Sequence, residues 1–218
     1  MLADALRARI LTRELQPGQK LPAEPELADE YGVSRSTVRE ALRVLASQDL
    51  ITTSRGVLGG SFVACPSPRQ MSDYLQASLG LLAQSEDMAV DALLEARDML
   101  EVPAAGLAAM RRTAVDLEAL RATLGEPPRM EPREMVAFTR AFHETLLHIT
   151  GNSILEALTR PVFEVLYERM LPLAGIEPLW SQVKDDHGLI YQAIEAGDPE
   201  AARAEMQIHL QKLRPVSR

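Results

Sequence analysis

The stretch that most constrains the fold is PELADEYGVSRSTVREALRVL, Pro25 to Leu45. Leu27, Ala28 and Tyr31 recur at helical spacing. Val38, Ala41, Leu42 and Leu45 then fall at i, i+3, i+4 and i+7, which is one buried stripe of a second helix. Pro25 suits the first turn of the earlier helix, Gly32 suits its end, and the Ser34 side chain can cap the later one. On a helical wheel Arg35, Ser36, Arg39 and Arg43 gather on one flank of the stripe. Two short helices joined by a glycine turn, the second polar and basic at its start, form a helix-turn-helix. Its second helix lies in the major groove of DNA. A preceding helix is marked by Leu2, Ala5, Leu6 and Ile10, and LQPGQKLP breaks it.

The residues that follow, LITTSRGVLGGSFVACP, extend the same reading. Ile51 to Ser54 and Ser61 to Ala64 are β-prone and flank Gly56, Gly59 and Gly60. They predict a two-stranded hairpin, the wing of a winged helix, with Arg55 and glycines at its tip. Charge agrees with a localised nucleic-acid face. Met1 to Cys65 carry eight basic and eight acidic side chains, so the remainder holds the whole net charge of -8. Such an acidic total excludes coating by nucleic acid over the whole surface but leaves room for one basic face.

From Ser67 onward no strand pattern appears. PSPRQ reads as a linker, and helices are predicted over about 69–84, 87–111, 114–124, 131–149, 153–172, 178–196 and 199–213. Asp198 can cap the last, with Pro199 at its first position, and Pro103 should kink the second. Only 4% of residues are aromatic, and the Leu, Ala, Val, Ile and Met that remain favour helix packing. The single cysteine, Cys65, rules out an intrachain disulfide and points to a reducing compartment. With no apolar run near the roughly 20 residues of a membrane span, and no signal-peptide pattern in MLADALRARI, the expected location is cytoplasmic, with no membrane partner.

Three of the four histidines, His143, His187 and His209, lie on different predicted helices. Imidazoles converging inside a bundle make a site for a divalent transition metal. Spacing alone leaves open that each is an ordinary hydrogen-bonded histidine. His148, five residues after His143, points elsewhere and reads as structural.

At this point families become recognisable. GQKLPAEPELADEYGVSRSTVREALRVLASQDLI, followed by GVLGGSFVACP, resembles the DNA-binding domain of the GntR family of bacterial transcription regulators. The resemblance implies that Arg35 and Arg39 reach bases or phosphates, with Arg43 on the same flank. Ser34, Ser36 and Thr37 would contact the backbone, and Gly56 would lie near the groove at the wing. Pro25 stands where many relatives carry a basic residue, which removes one expected phosphate contact. LLEARDMLEVPAAGLAA, FHETLLHITGN and IYQAIEAGDPEAARAEMQIHL are similar to the all-helical effector domain of the FadR-type (FCD) branch. There the resemblance implies metal ligation by His143, His187 and His209, with zinc, nickel or a similar divalent ion. The branch's aspartate ligand is replaced by Thr139. Arg97, in EAR, matches a residue implied to capture an effector carboxylate in bidentate fashion; its alternative is a salt bridge with Asp98 or Glu101. Asn152 matches a residue near the effector cavity and can equally be a helix cap.

The expected protein is mainly α. Residues 1–66 would form a winged helix-turn-helix and 67–218 an all-α antiparallel bundle for effector binding and dimerisation. It would act as a ligand-responsive regulator, a repressor, that senses a small organic acid and binds a palindromic double-stranded operator as a homodimer. Two competing readings are a metal-dependent enzyme and a DNA-binding dimer with a degenerate sensor domain. Against the enzyme, there is no general base at helical spacing from the histidines, and no Ser-His-Asp or P-loop signature.

Overall fold

The structure, a computed structural model, describes residues 2–56, 59–84, 90–125, 132–170 and 177–213. Its described residues form ten helices and one two-stranded sheet, in two compact units, Met1–Ser67 and Pro68–Arg218.

In the first unit, α1 (Leu2–Leu11), α2 (Glu24–Tyr31) and α3 (Arg35–Ser47) pack on one another ahead of strands β1 (Ile51–Ser54) and β2 (Gly60–Val63). The turn chemistry is local. Gly32 adopts φ 62, a left-handed conformation that costs glycine little, and its N–H donates to the Ala28 carbonyl. The Ser34 hydroxyl accepts from the Thr37 N–H at 3.1 Å and so caps α3. Val38, Ala41 and Leu45 are buried as the stripe requires, and Leu42 is half-buried. They join Leu6, Leu21, Leu27, Ile51 and Val63 in one core. Each fully buried leucine there stabilises the unit by roughly 1.5–3 kcal/mol.

The hairpin pairs Ile51 with Val63 and Ser54 with Gly60 in antiparallel register. Its second strand therefore starts one residue earlier than the β-propensity suggests; residues 57 and 58 of the tip lie outside the described residues. The α1–α2 connection does more than break a helix. Leu21 N–H donates to Ser61 O, Val63 N–H to Gln19 O, and Lys20 bridges Phe62, so the connection forms a third line along β2.

The second unit is built on α5 (Val90–Arg111), which packs against α7 (Pro132–Ile149), α8 (Ser153–Met170), α9 (Glu177–Ala196) and α10 (Pro199–Leu213). Helix α4 (Pro68–Ala83) lies on α8, and α6 (Ala114–Ala122) on α7 and α9. The close approach of α10 to α5 follows from small residues: Ala104, Ala105, Ala108 and Ala109 are all wholly buried. Pro103 sits on the exposed side of α5, and the helix runs on through it. Residues 85–89, 131 and 171–176, parts of which had been expected to be helical, lie outside the described residues. Asp198 caps α10 as expected, its Oδ1 accepting from the Glu200 and Ala201 N–H groups at 3.1 and 3.0 Å. Among the described residues, no helix is long and apolar enough to cross a membrane.

Candidate functional site

Two sites emerge, one in each unit. On α3, the side chains of Ser34, Arg35, Ser36, Thr37, Arg39 and Arg43 are all exposed. Arg35, Ser36, Arg39 and Arg43 stand on the flank turned away from the buried Val38–Ala41–Leu45 stripe, so amphipathicity turns them outward. Ser34 Oγ lies 2.7 Å from Ser36 Oγ and 2.8 Å from Thr37 Oγ1, which ties the three hydroxyls together at the helix start. The arginines are not equivalent. Arg39 Nε donates to Glu24 Oε2 at 2.8 Å, and that hydrogen bond raises its pKa. Arg43 is 3.5 Å from Glu40. Arg35 makes no ion pair among the described residues, so it is the arginine with least to release on meeting a phosphate or base. Gly56 is exposed at φ 111, a backbone conformation that side chains strain to adopt.

The second site lies inside the helical unit. Helix α7 supplies Thr139 and, one turn on, His143; α9 supplies Asp186 and His187; α10 supplies His209; and α5 supplies Arg97 and Glu101. All seven are buried. The available ligand atoms of His143, His187 and His209 lie within 4.8 Å of one another, and His143 Nε2 is 3.2 Å from His187 Nε2. Two nitrogens held on one tetrahedral ion at about 2.0–2.1 Å stand about 3.3 Å apart, so the spacing fits a shared metal.

The protonation states fit as well. Burial pushes the His143 and His187 imidazoles well below their ordinary value; Arg97 adds to the effect at His143, and His143 adds to it at His187. His209 is lowered by burial too, with Asp186 pulling the other way. Neutral imidazoles carry the lone pair a metal needs. Each of two rings also meets a carboxylate on the side away from the cluster. His209 Nδ1 faces Asp186 Oδ2 at 3.4 Å, and Lys212 Nζ holds the other Asp186 oxygen at 2.6 Å. His143 Nδ1 is 2.5 Å from Glu101 Oε2, a close approach without hydrogen-bond alignment. The Asp186 carboxylate fixes the His209 tautomer and aims its other nitrogen inward. His209 Nε2 is buried with no hydrogen-bond partner, an orphaned acceptor of the kind a cation would satisfy. The donor set therefore fits a divalent transition metal. Phe142 stacks on His187 with centroids 4.0 Å apart and holds that ring in plane.

Thr139 is buried one helical turn before His143, on the same face, and brings no charge. Arg97 is only 1% exposed, and its Nε donates to Glu101 Oε1. Of the two alternatives for Arg97, the ion pair with Glu101 is thus formed. Burial is the largest influence and opposes its charge, but Glu101, Tyr167 and Asp98 together outweigh it and raise the pKa. Arg97 also lies over the faces of Phe163 and Tyr167, at 5.4 and 6.0 Å. Asn152 is not gathered into this centre. Its side chain is exposed and caps α8, Oδ1 accepting from Leu155 N–H at 3.1 Å. The reason is its position after Gly151, where the first turn of α8 presents unpaired N–H groups. His148 is exposed, with Nδ1 3.1 Å from Glu156 Oε1, away from the centre. Sequence reasoning had missed Asp186 as a partner of His209; its one signal is that it directly precedes His187 in KDDHG.

Comparison with known proteins agrees with both units. Residues 1–63 match the bacterial regulatory proteins of the gntR family, and residues 92–212 match the FCD domain. The chain is 35% identical to the HTH-type transcriptional regulator LutR of Bacillus subtilis (strain 168), over 93% of each chain. It is 31% identical to the galactonate operon transcriptional repressor of Escherichia coli (strain K12), over 90% of this chain and 86% of that one. Among solved structures, a GntR protein of Streptococcus agalactiae superposes with a TM-score of 0.56 at 26% identity, over 99% of this chain and 98% of that one. The chain belongs to the gntR family of bacterial regulatory proteins, with a C-terminal FCD domain, and is a transcription regulator, not an enzyme.

Proposed function

We propose that this regulator binds a palindromic operator as a homodimer and releases or tightens it when a small organic acid enters the helical unit. The observation that carries the sensing half is the cluster of three buried, neutral imidazoles whose ligand atoms lie within 4.8 Å, with His209 Nε2 unpartnered. His143, His187 and His209 would hold a divalent transition metal such as zinc or nickel. When bound, that ion supplies a positive centre for a carboxylate or hydroxyl oxygen. Arg97 would add a second cationic contact to the same acid. Thr139, standing where the branch has aspartate, leaves the centre without an anionic protein ligand and so favours an anionic effector electrostatically. The relatives fit this chemistry, since one of them is named as the repressor of a galactonate operon, and galactonate is a sugar acid. Repression is accordingly the proposed direction of control.

For DNA, the exposed Arg35, Arg39 and Arg43 would enter the major groove, with Ser34, Ser36 and Thr37 on the backbone and Gly56 of the wing beside it. The proposed domain roles are DNA binding for residues 1–66, and effector binding and dimerisation for 67–218. Two tests separate the parts. Fluorescence anisotropy on an operator selected from random duplexes should show Arg35→Ala losing affinity by about 1–3 kcal/mol with relaxed specificity at one base pair. No change for Arg35→Ala and Arg39→Ala alike would remove α3 from the interface. Elemental analysis after tag-free purification, then zinc titration, tests the metal; a protein that neither retains nor takes up metal refutes that part. Light scattering that gave only a monomer of 24.0 kDa at micromolar concentration would rule out the dimer.

A further inference from the structure

The two ring nitrogens of His143 face different partners. Nδ1 lies 2.5 Å from Glu101 Oε2, without hydrogen-bond alignment. Two groups approach Nε2: His187 Nε2 at 3.2 Å and Arg97 Nη2 at 3.0 Å. A guanidinium has only hydrogens to offer, so Arg97 donates to His143 Nε2. Ligation of a cation by His143 uses the same lone pair, and the guanidinium charge repels any cation beside it.

We propose that Arg97 is a built-in rival for the three-histidine centre: it holds the His143 lone pair when no divalent cation is bound and must leave before His143 can ligate one. This rests on the reading of His143, His187 and His209 as a metal centre. Arg97 is well held in the closed arrangement. Glu101 accepts from its Nε, the Phe163 and Tyr167 rings lie against its plane, and almost none of it reaches solvent. Moving it off therefore lowers the apparent affinity for a cation, because the ligating arrangement is only a fraction of the population. A carboxylate that draws the Arg97 fork to itself lifts this competition. Acid and cation then bind with positive coupling, and the coupling is reciprocal by linkage. Arg97 and Glu101 together would make the centre receptive when the organic acid is present.

The experiment uses the full-length, untagged protein, stripped of metal and titrated with zinc against a competing chromophoric chelator. Wild type, Arg97→Met and the double variant Arg97→Met/Glu101→Gln are compared. The glutamine keeps the size of the side chain and removes the carboxylate left unpaired by the first change. Zinc should bind at least tenfold more tightly to both variants than to wild type. Equal or weaker binding by Arg97→Met overturns the proposal. So does tightening that disappears in the double variant, since the cause is then the freed Glu101 charge. If no form, wild type included, takes up zinc, the metal reading itself fails and this inference falls with it. A measurement on unmodified protein covers variants that fold poorly. In nitrogen-15 spectra, the Arg97 side-chain signals should shift on zinc addition and saturate at one equivalent. Arg97 signals that do not move while zinc binds would overturn the proposal.

Discussion

Stability against pH offers the sharpest check on the buried centre. His143 and His187 are both pushed well below the ordinary histidine value, chiefly by burial. In the unfolded chain each titrates near 6.5. Above that value both states are neutral at these rings, and the histidines leave stability unchanged. Below it the unfolded chain takes up protons that the folded protein refuses, so stability falls with pH down to the depressed folded values. One pH unit below 6.5, a fully refused proton costs about 1.4 kcal/mol. The two rings together therefore remove about 3 kcal/mol between the neutral plateau and pH 5.5. His209, lowered less directly, adds in the same direction. Glu101 opposes: its carboxyl is raised by burial, with Arg97 pulling it down, and an acid raised on folding stabilises the folded state as pH falls. Asp186 is lowered, so the stability it contributes is lost only as pH falls below the ordinary carboxylate range. Against a typical total of roughly 5–15 kcal/mol the loss is large. The assay is urea unfolding of the metal-free protein in chelator at pH 7.5, 6.5 and 5.5. The midpoint should fall slightly between the first two, by about a quarter of the whole loss, and steeply to the third, and His187→Gln should flatten the drop. A midpoint that stays level or rises toward pH 5.5 would show that the imidazoles are not held neutral, and the reasoning would fail.

Other outcomes follow from the same contacts. Glu24→Gln frees Arg39 from its 2.8 Å partner, so operator affinity in anisotropy titrations should rise by less than about fivefold at low salt and converge on wild type as salt is added. Ser34→Ala removes the cap on α3 and should lower stability by about 1 kcal/mol in thermal or urea unfolding of the DNA-free protein. Thr139→Asp buries a carboxylate one turn from His143; the metal-free protein should lose roughly 1–3 kcal/mol of stability, while zinc binding in chelator competition tightens.

What the sequence determined by itself was whatever acts within one or two turns of chain. The stripe Val38–Ala41–Leu45, the Gly32 reversal, the Ser34 cap and the Asp198 cap were all legible, because each is a relation between residues a few positions apart. The helices beyond Ser67 were legible for the same reason. Helical periodicity says which face is buried; it does not say which other face it meets. That His143, His187 and His209 share one centre depends on α7, α9 and α10 closing on α5, which its small residues Ala104, Ala105 and Ala108 permit. Packing also set contacts the sequence left open. Arg97 faces Glu101 and His143, Asn152 caps α8 at the surface, and Asp186 turns to His209 across two helices. The third line of pairing between Lys20 and Phe62 is of the same kind, a contact between segments about 40 residues apart that no local pattern encodes. Only the tertiary structure brings such distant groups within a few ångströms, and there burial, by removing water, fixes which of them are charged and which lone pairs are free.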